Sequence, residues 1–199
     1  GTIVIDGQGT QTVATLVQVG GDLTGVISLD DNDGTVTLEM TGDNTTIGQT
    51  VNSVGGDNEA ILKLSGTGTT VSSAIGKTGT NSLAAIDVNG TATFDGASEA
   101  TAYTVDADTT FTGAVLANTG FTADSSAAIT LSAASDLSLL TMTTGTLTAD
   151  ALLTTSDLIN TAGKVYLNVK ENEMGAGRYA AASGAELHVG PALVSGDTI

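Results

Sequence analysis

The chain is predicted to fold as an all-β solenoid, a coil of backbone whose successive turns stack on one another, and three features of its sequence predict this. Leu38-Glu39-Met40-Thr41-Gly42 recurs as Leu62-Lys63-Leu64-Ser65-Gly66, as Ile86-Asp87-Val88-Asn89-Gly90 and, in a looser copy, as Thr109-Thr110-Phe111-Thr112-Gly113, with the four glycines 24, 24 and 23 residues apart. A constant spacing of roughly 20 to 50 residues marks stacked repeats, because one such unit cannot bury its apolar edge without a neighbour. Hydrophobic residues make up 40% of the chain but aromatics only 3%, so the interior must be built from Val, Ile, Leu and Ala, as a narrow, repetitive core is. Finally, Thr45-Thr46-Ile47 precedes Thr69-Thr70-Val71 by 24 residues, and Val51 precedes Ile75 and Ala60 precedes Ala84 by the same interval. A β-sandwich, the alternative, also has short strands and regular turns, yet has no reason to hold that register.

Strands are expected wherever apolar and polar residues alternate between Gly, Asp and Asn. In order these are Thr2 to Asp6, Thr12 to Val19, Gly25 to Asp30, Thr35 to Met40, Ala60 to Leu64, Thr69 to Ile75, Leu83 to Val88 and Ala102 to Asp106. Ala127 to Leu131, Leu137 to Thr143 and Val165 to Val169 follow, and Asp150 to Asn160 reads as either a short helix or an irregular coil. Thr dominates these stretches because its branched Cβ favours the extended chain, whereas Gly supplies the turns. At one strand spacing per coil, about eight coils would make a rod of roughly 40 Å. The organisation expected is a repetitive body over residues 1–163 and a cap or assembly segment over 164–199, where the repeat gives way to Lys164-Val165-Tyr166-Leu167-Asn168-Val169-Lys170 and then to Gly-, Ala- and Ser-rich sequence.

Charge narrows the function. Five Lys and Arg stand against 22 Asp and Glu, a net −17 at neutral pH, and a surface of that sign repels phosphate backbones and anionic lipids. Nucleic-acid binding is therefore not expected, and no run is long and apolar enough to insert in a membrane. No Lys or Arg precedes Lys63, so the acids of the first third call for solvent, divalent cations or a partner. Lys164, Lys170 and Arg178 cluster near the other end, an asymmetry that suits head-to-tail contact between copies of the chain. There is no cysteine, hence no disulfide or thiol chemistry.

Few constellations carry chemistry. Asp30, Asp31 and Asp33, within Asp30-Asp31-Asn32-Asp33-Gly34, form an oxygen-rich turn of the kind Ca²⁺ selects, although Leu29 falls where the helical Ca²⁺ loop requires its first ligand. The bland reading of that turn is a solvated hairpin. His188 is the only histidine, which rules out a His pair within one chain and makes a surface or interface role the expected one. With no Trp, three Tyr and three Phe there is no aromatic platform for sugar hydrolysis, and Gly76-Lys77-Thr78-Gly79 lacks the upstream glycine of a phosphate loop. No enzyme is expected. Thr67-Gly68-Thr69 and Thr91-Ala92-Thr93 would place two Thr-x-Thr pairs on one face, as on ice-binding solenoids, but Asp43-Asn44-Thr45 breaks the array a coil earlier and two ranks are too few.

The run Ala74-Ile75-Gly76-Lys77-Thr78-Gly79-Thr80-Asn81-Ser82-Leu83-Ala84-Ala85-Ile86-Asp87-Val88-Asn89-Gly90-Thr91-Ala92-Thr93-Phe94 resembles the repeats of rickettsial outer-membrane surface antigens and other autotransporter passengers. The resemblance covers roughly residues 24–132 and implies an extracellular β-solenoid that coats cells, forms surface layers or adheres to hosts. Residues 164–199 depart from the repeat, which favours a secreted, self-assembling subunit over a membrane-anchored one. The function expected is thus an extracellular structural protein of a bacterial surface layer, sheath or filament, with itself as partner. The alternative is an adhesin passenger or virion fibre module that grips a glycan or host surface. Ca²⁺ is the one cofactor the acids suggest.

Overall fold

The structure, a computed structural model, describes residues 1–6, 15–30, 35–54, 60–76, 82–168, 173–174 and 178–190. It is the solenoid that the repeat predicts, with about eight turns. Among the described residues there is no helix, and every strand pairing is parallel.

Each turn contributes strands to three runs of stacked backbone. The first begins with Thr2–Asp6, Val26–Asp30 and Val51–Val54 and continues through bridges at Ile75 and Ser98. A second stacks Thr15–Val19, Val36–Met40, Ala60–Leu64 and Leu83–Val88. The third is a separate eight-stranded sheet running from Thr46–Ile47 through Thr69–Val71, Ala92–Phe94, Thr109–Phe111, Ala128–Leu131, Thr146–Ala149 and Lys164–Leu167 to Glu186–Val189. Side chains alternate inward and outward along each strand, so in-register pairing stacks like positions into columns along the rod.

The inward columns are the core. Leu38, Leu62, Ile86, Tyr103, Phe121, Leu140 and Leu158 pair in succession, all buried, and Ile47, Val71, Phe94, Phe111, Leu131, Ala149 and Leu167 form the matching column of the third sheet. Full burial of one such side chain stabilises the fold by about 1.5–3 kcal/mol, so the columns supply the main driving force.

Coil length is not constant. Leu38, Leu62 and Ile86 hold the 24-residue step, but the next steps along the column are 17 to Tyr103, 18 to Phe121, 19 to Leu140 and 18 to Leu158. The change occurs at one corner. Residues 55–59 separate Val51–Val54 from Ala60–Leu64, whereas after Gly90 the first and second runs fuse into the continuous strands Ser98–Val105 and Val115–Ala123, with a register shift between Ala100 and Ala102. All three phenylalanines and Tyr103 pack at this transition. Phe94 stacks on Phe111 at 4.7 Å and Tyr103 on Phe121 at 5.5 Å, with the two pairs crossing edge to face. Ala92, Ala100, Ala117 and Ala123 occupy neighbouring inward positions, the large-and-small pairing that close packing demands.

Two readings of the sequence change. Thr109–Phe111 is not a fourth copy of the phrase. It pairs with Ala92–Phe94 in the third sheet, and the next rung above Ile86-Asp87-Val88 is Tyr103-Thr104-Val105. Gly20, Gly42, Gly66 and Gly90 form one column, while Gly113 stands over Gly96 in another. Asp150 to Asn160 is not helical: Leu153–Thr155 and Asp157–Asn160 are strands, because Leu153, Thr155, Leu158 and Asn160 are all buried at alternating positions. Beyond Gly163 the stacking continues, with Lys164–Leu167 between Thr146–Ala149 and Glu186–Val189.

Candidate functional site

With the core filled, the chemistry of this molecule lies in its outward columns. On the second run the outward order is Gln18, Glu39, Lys63, Asp87, Thr104, Thr122, Thr141 and Ile159. Glu39 is only 7% exposed. Gln18 Nε2 donates to its Oε2 at 2.7 Å, Ser65 Oγ donates to Oε1 at 2.6 Å, and Lys63 Nζ lies 3.2 Å from Oε1. These bonds, that from Gln18 foremost, hold the Glu39 carboxyl down at about 2. Lys63 is thus the counter-charge of Glu39, placed on the rung between Glu39 and Asp87. Burial raises Asp87 above the usual carboxylate range, with Lys63 opposing and the charge of Asp106 adding to the rise.

The third sheet presents something more regular. Thr46, Thr70, Thr93, Thr110, Thr130 and Thr148 pair in succession, followed by Tyr166 and His188. Six consecutive rungs thus carry the same side chain at the same outward position. Thr67-x-Thr69 and Thr91-x-Thr93 do not form the array expected of them: Thr69 is fully buried and pairs with Ala92, so Thr93 lies beside Thr70.

Tyr166 and His188 stack at 4.5 Å, nearly parallel, and His188 Nε2 lies 2.8 Å from Glu186 Oε2. Lys164 Nζ sits 3.1 Å from Glu186 Oε1. The contact with His188, then that with Lys164, lowers Glu186, and Glu186 in turn raises Lys164. Two described residues of the predicted assembly segment thus have distinct surroundings. Lys164 is engaged within its own chain, while the Arg178 side chain is largely exposed, its Nε 4.0 Å from Asp157 Oδ1, an oxygen that accepts from the Arg178 backbone N–H at 2.8 Å. Lys170, Asp31 and Asp33 lie outside the described residues. Asp30 ends the strand Val26–Asp30 between Asp6 and Val54, and no group of three or more metal-ligating side chains occurs among the described residues.

No family model, curated protein or solved structure matches this chain. Two shallow troughs, of about 290 and 230 Å³, lie over Ala97, Ala114 and Ala134 beside Leu116. Asp136 borders the larger and Glu99 the smaller, one carboxylate in each. The Tyr103 phenol, raised by burial, is enclosed in the core.

Sequence reasoning missed the threonine column because its members are unequally spaced. The signal that could have found them is local: a threonine followed at once by an apolar residue, in Thr46-Ile47, Thr70-Val71, Thr93-Phe94, Thr110-Phe111, Thr130-Leu131 and Thr148-Ala149.

Proposed function

We propose that this chain is a non-enzymatic extracellular structural protein, a self-assembling subunit of a bacterial surface layer, sheath or filament. The observation that carries this reading is the continuity of the third sheet, in which one register runs from Thr46 to His188 through eight strands. A rod built by adding identical backbone pairings grows by the same means when further copies add their rungs, and parallel pairing needs no new side-chain chemistry at each joint. The exposed Arg178, facing the acidic surface of a neighbour, adds an attraction that Lys164 does not, being committed to Glu186.

Electron microscopy of the purified chain, with and without Ca²⁺, tests the proposal. Filaments or sheets with a repeat along the rod axis are expected. A monodisperse monomer at high concentration in both conditions overturns it.

A further inference from the structure

The threonine column on the third sheet keeps one residue through six rungs, where the outward threonines of the second run, Thr104, Thr122 and Thr141, span three. The neighbouring column of the same sheet, two residues further along each strand, runs Gly48, Ser72, Asp95, Thr112, Ser132 and Asp150. On the second run the outward column changes chemical type at nearly every early rung, from Gln18 to Glu39, Lys63 and Asp87. Strand propensity alone would accept Val, Ile, Tyr or Thr at all these positions. Only on the third sheet is one residue retained through six rungs.

The hydroxyls of that column, like those of the shorter outward row Thr104, Thr122 and Thr141, are not spent on the protein. Inward or corner threonines spend theirs on the protein: Thr45 donates to the Gly42 carbonyl, Thr109 to that of Ala107, Thr143 to that of Ala123 and Thr155 to that of Ser138. Among the described residues, no hydrogen bond engages the hydroxyl of Thr46, Thr70, Thr93, Thr110, Thr130 or Thr148; Thr46 meets a side chain only through its backbone N–H, which donates to Asp22 Oδ1 at 2.7 Å. Their hydroxyls face water.

Backbone pairing sets the distance between consecutive members at about 4.8 Å, close to the repeat of oxygen atoms along a face of hexagonal ice. The pairings that carry the column show no register shift, unlike that between Ser98–Val105 and Val115–Ala123. Each threonine offers a hydroxyl with one donor and two acceptor positions beside a methyl group, and its branched Cβ restricts rotation. A straight row of this kind holds water at fixed intervals before any ice forms, with methyls setting the spacing of the water cage and hydroxyls joining it. Thr112 and Ser132, beside Thr110 and Thr130, add a second rank of hydroxyls at the middle of the row.

We propose that the third sheet is an ice-binding surface, with the column from Thr46 to Thr148 as its contact row. This goes beyond the structural role and does not depend on it.

The experiment is slow freezing of a dilute solution of the full chain on a cold surface, with the protein in the ice fraction compared with that left in the liquid. Ice crystals grown in its presence are also examined for faceting. The wild-type chain is expected to be taken into the ice and to shape the crystals. The double variant Thr93→Lys with Thr110→Lys is expected to fall to the level of an inert protein of equal size. Thr104→Lys with Thr122→Lys, on the second run, is expected to behave as wild type. Circular dichroism and the unfolding midpoint establish that both variants retain the fold. Rejection of the wild-type chain from ice overturns the proposal, as does equal retention of the third-sheet variant, or equal loss by both variants. Adsorption to a crystalline polysaccharide together with rejection from ice also overturns it.

Discussion

Gly90 lies so close over Gly66 that a Cβ on it would overlap the Gly66 carbonyl, and Gly66 stands in the same relation to Gly42. Neither glycine has a positive φ, so the constraint is space between rungs rather than backbone conformation. Gly66→Ala is expected to force adjacent coils apart and to destabilise the fold by about 1–3 kcal/mol. Gly21→Ala, where a Cβ meets nothing, is expected to change stability by less than about 0.5 kcal/mol. Urea midpoints of the two variants check this, and equal midpoints would contradict the stacking of the glycine column.

Glu39 makes the stability of the rod depend on pH in a known direction. Its folded value of about 2 lies below its ordinary value of 4.5. The charged form is therefore favoured by folding, and its contribution is complete above about pH 4.5 and lost as the pH falls through about 2. Glu39→Gln is expected to remove roughly 1–2 kcal/mol of the change in stability across that window, after allowance for solvent screening. Denaturant titrations at several pH values between these limits measure the difference, and parallel pH profiles for wild type and variant would refute it.

Phe111 touches both ring pairs where coil length changes, stacked on Phe94 and edge-on to Tyr103 and Phe121. Phe111→Ala is expected to cost about 3–5 kcal/mol, whereas Phe111→Leu, which refills most of the volume, costs less than about half as much. Thermal and urea unfolding of the two variants read this directly.

Asn160 continues the inward column of Met40, Leu64, Val88, Val105, Ala123 and Met142, yet it is polar and 1% exposed. Its amide ties two rungs together: Nδ2 donates to the carbonyls of Gly163 and Glu186, and Oδ1 accepts from Gly163 N at 2.8 Å. Asn160→Ala is expected to leave those groups unpaired at a cost of about 1–3 kcal/mol. Because a solenoid couples mainly neighbouring rungs, the loss falls on Lys164–Leu167 and Glu186–Val189. Hydrogen exchange should quicken at these strands and not at Val36–Met40.

The architecture was legible because three coils share one length. Leu38, Leu62 and Ile86 repeat their surroundings at a constant step, and the glycines that follow them repeat a constant steric demand. Tyr103 was not legible as their successor, since it arrives 17 residues after Ile86, where the corner between the first and second runs is reduced to the passage from Ala100 to Ala102. A shift of one residue also inverts which face a strand position occupies. That is why Thr69 reads as an outward residue when the register is taken from Thr67 and Thr91, and why it is buried when the register is set by Thr70 and Thr93. The columns of the outer surface depend on pairing between rungs, which no single strand encodes.

The corner that contracts after Gly90 gives the rod a seam along one edge. Chain enters the second run there after residues 31–35 or 55–59 in the early coils, and with almost nothing intervening at Ala100 to Ala102. The third sheet runs in one register through coils of both lengths, so the coil shortens at that edge without disturbing the stacking of the sheet beside it.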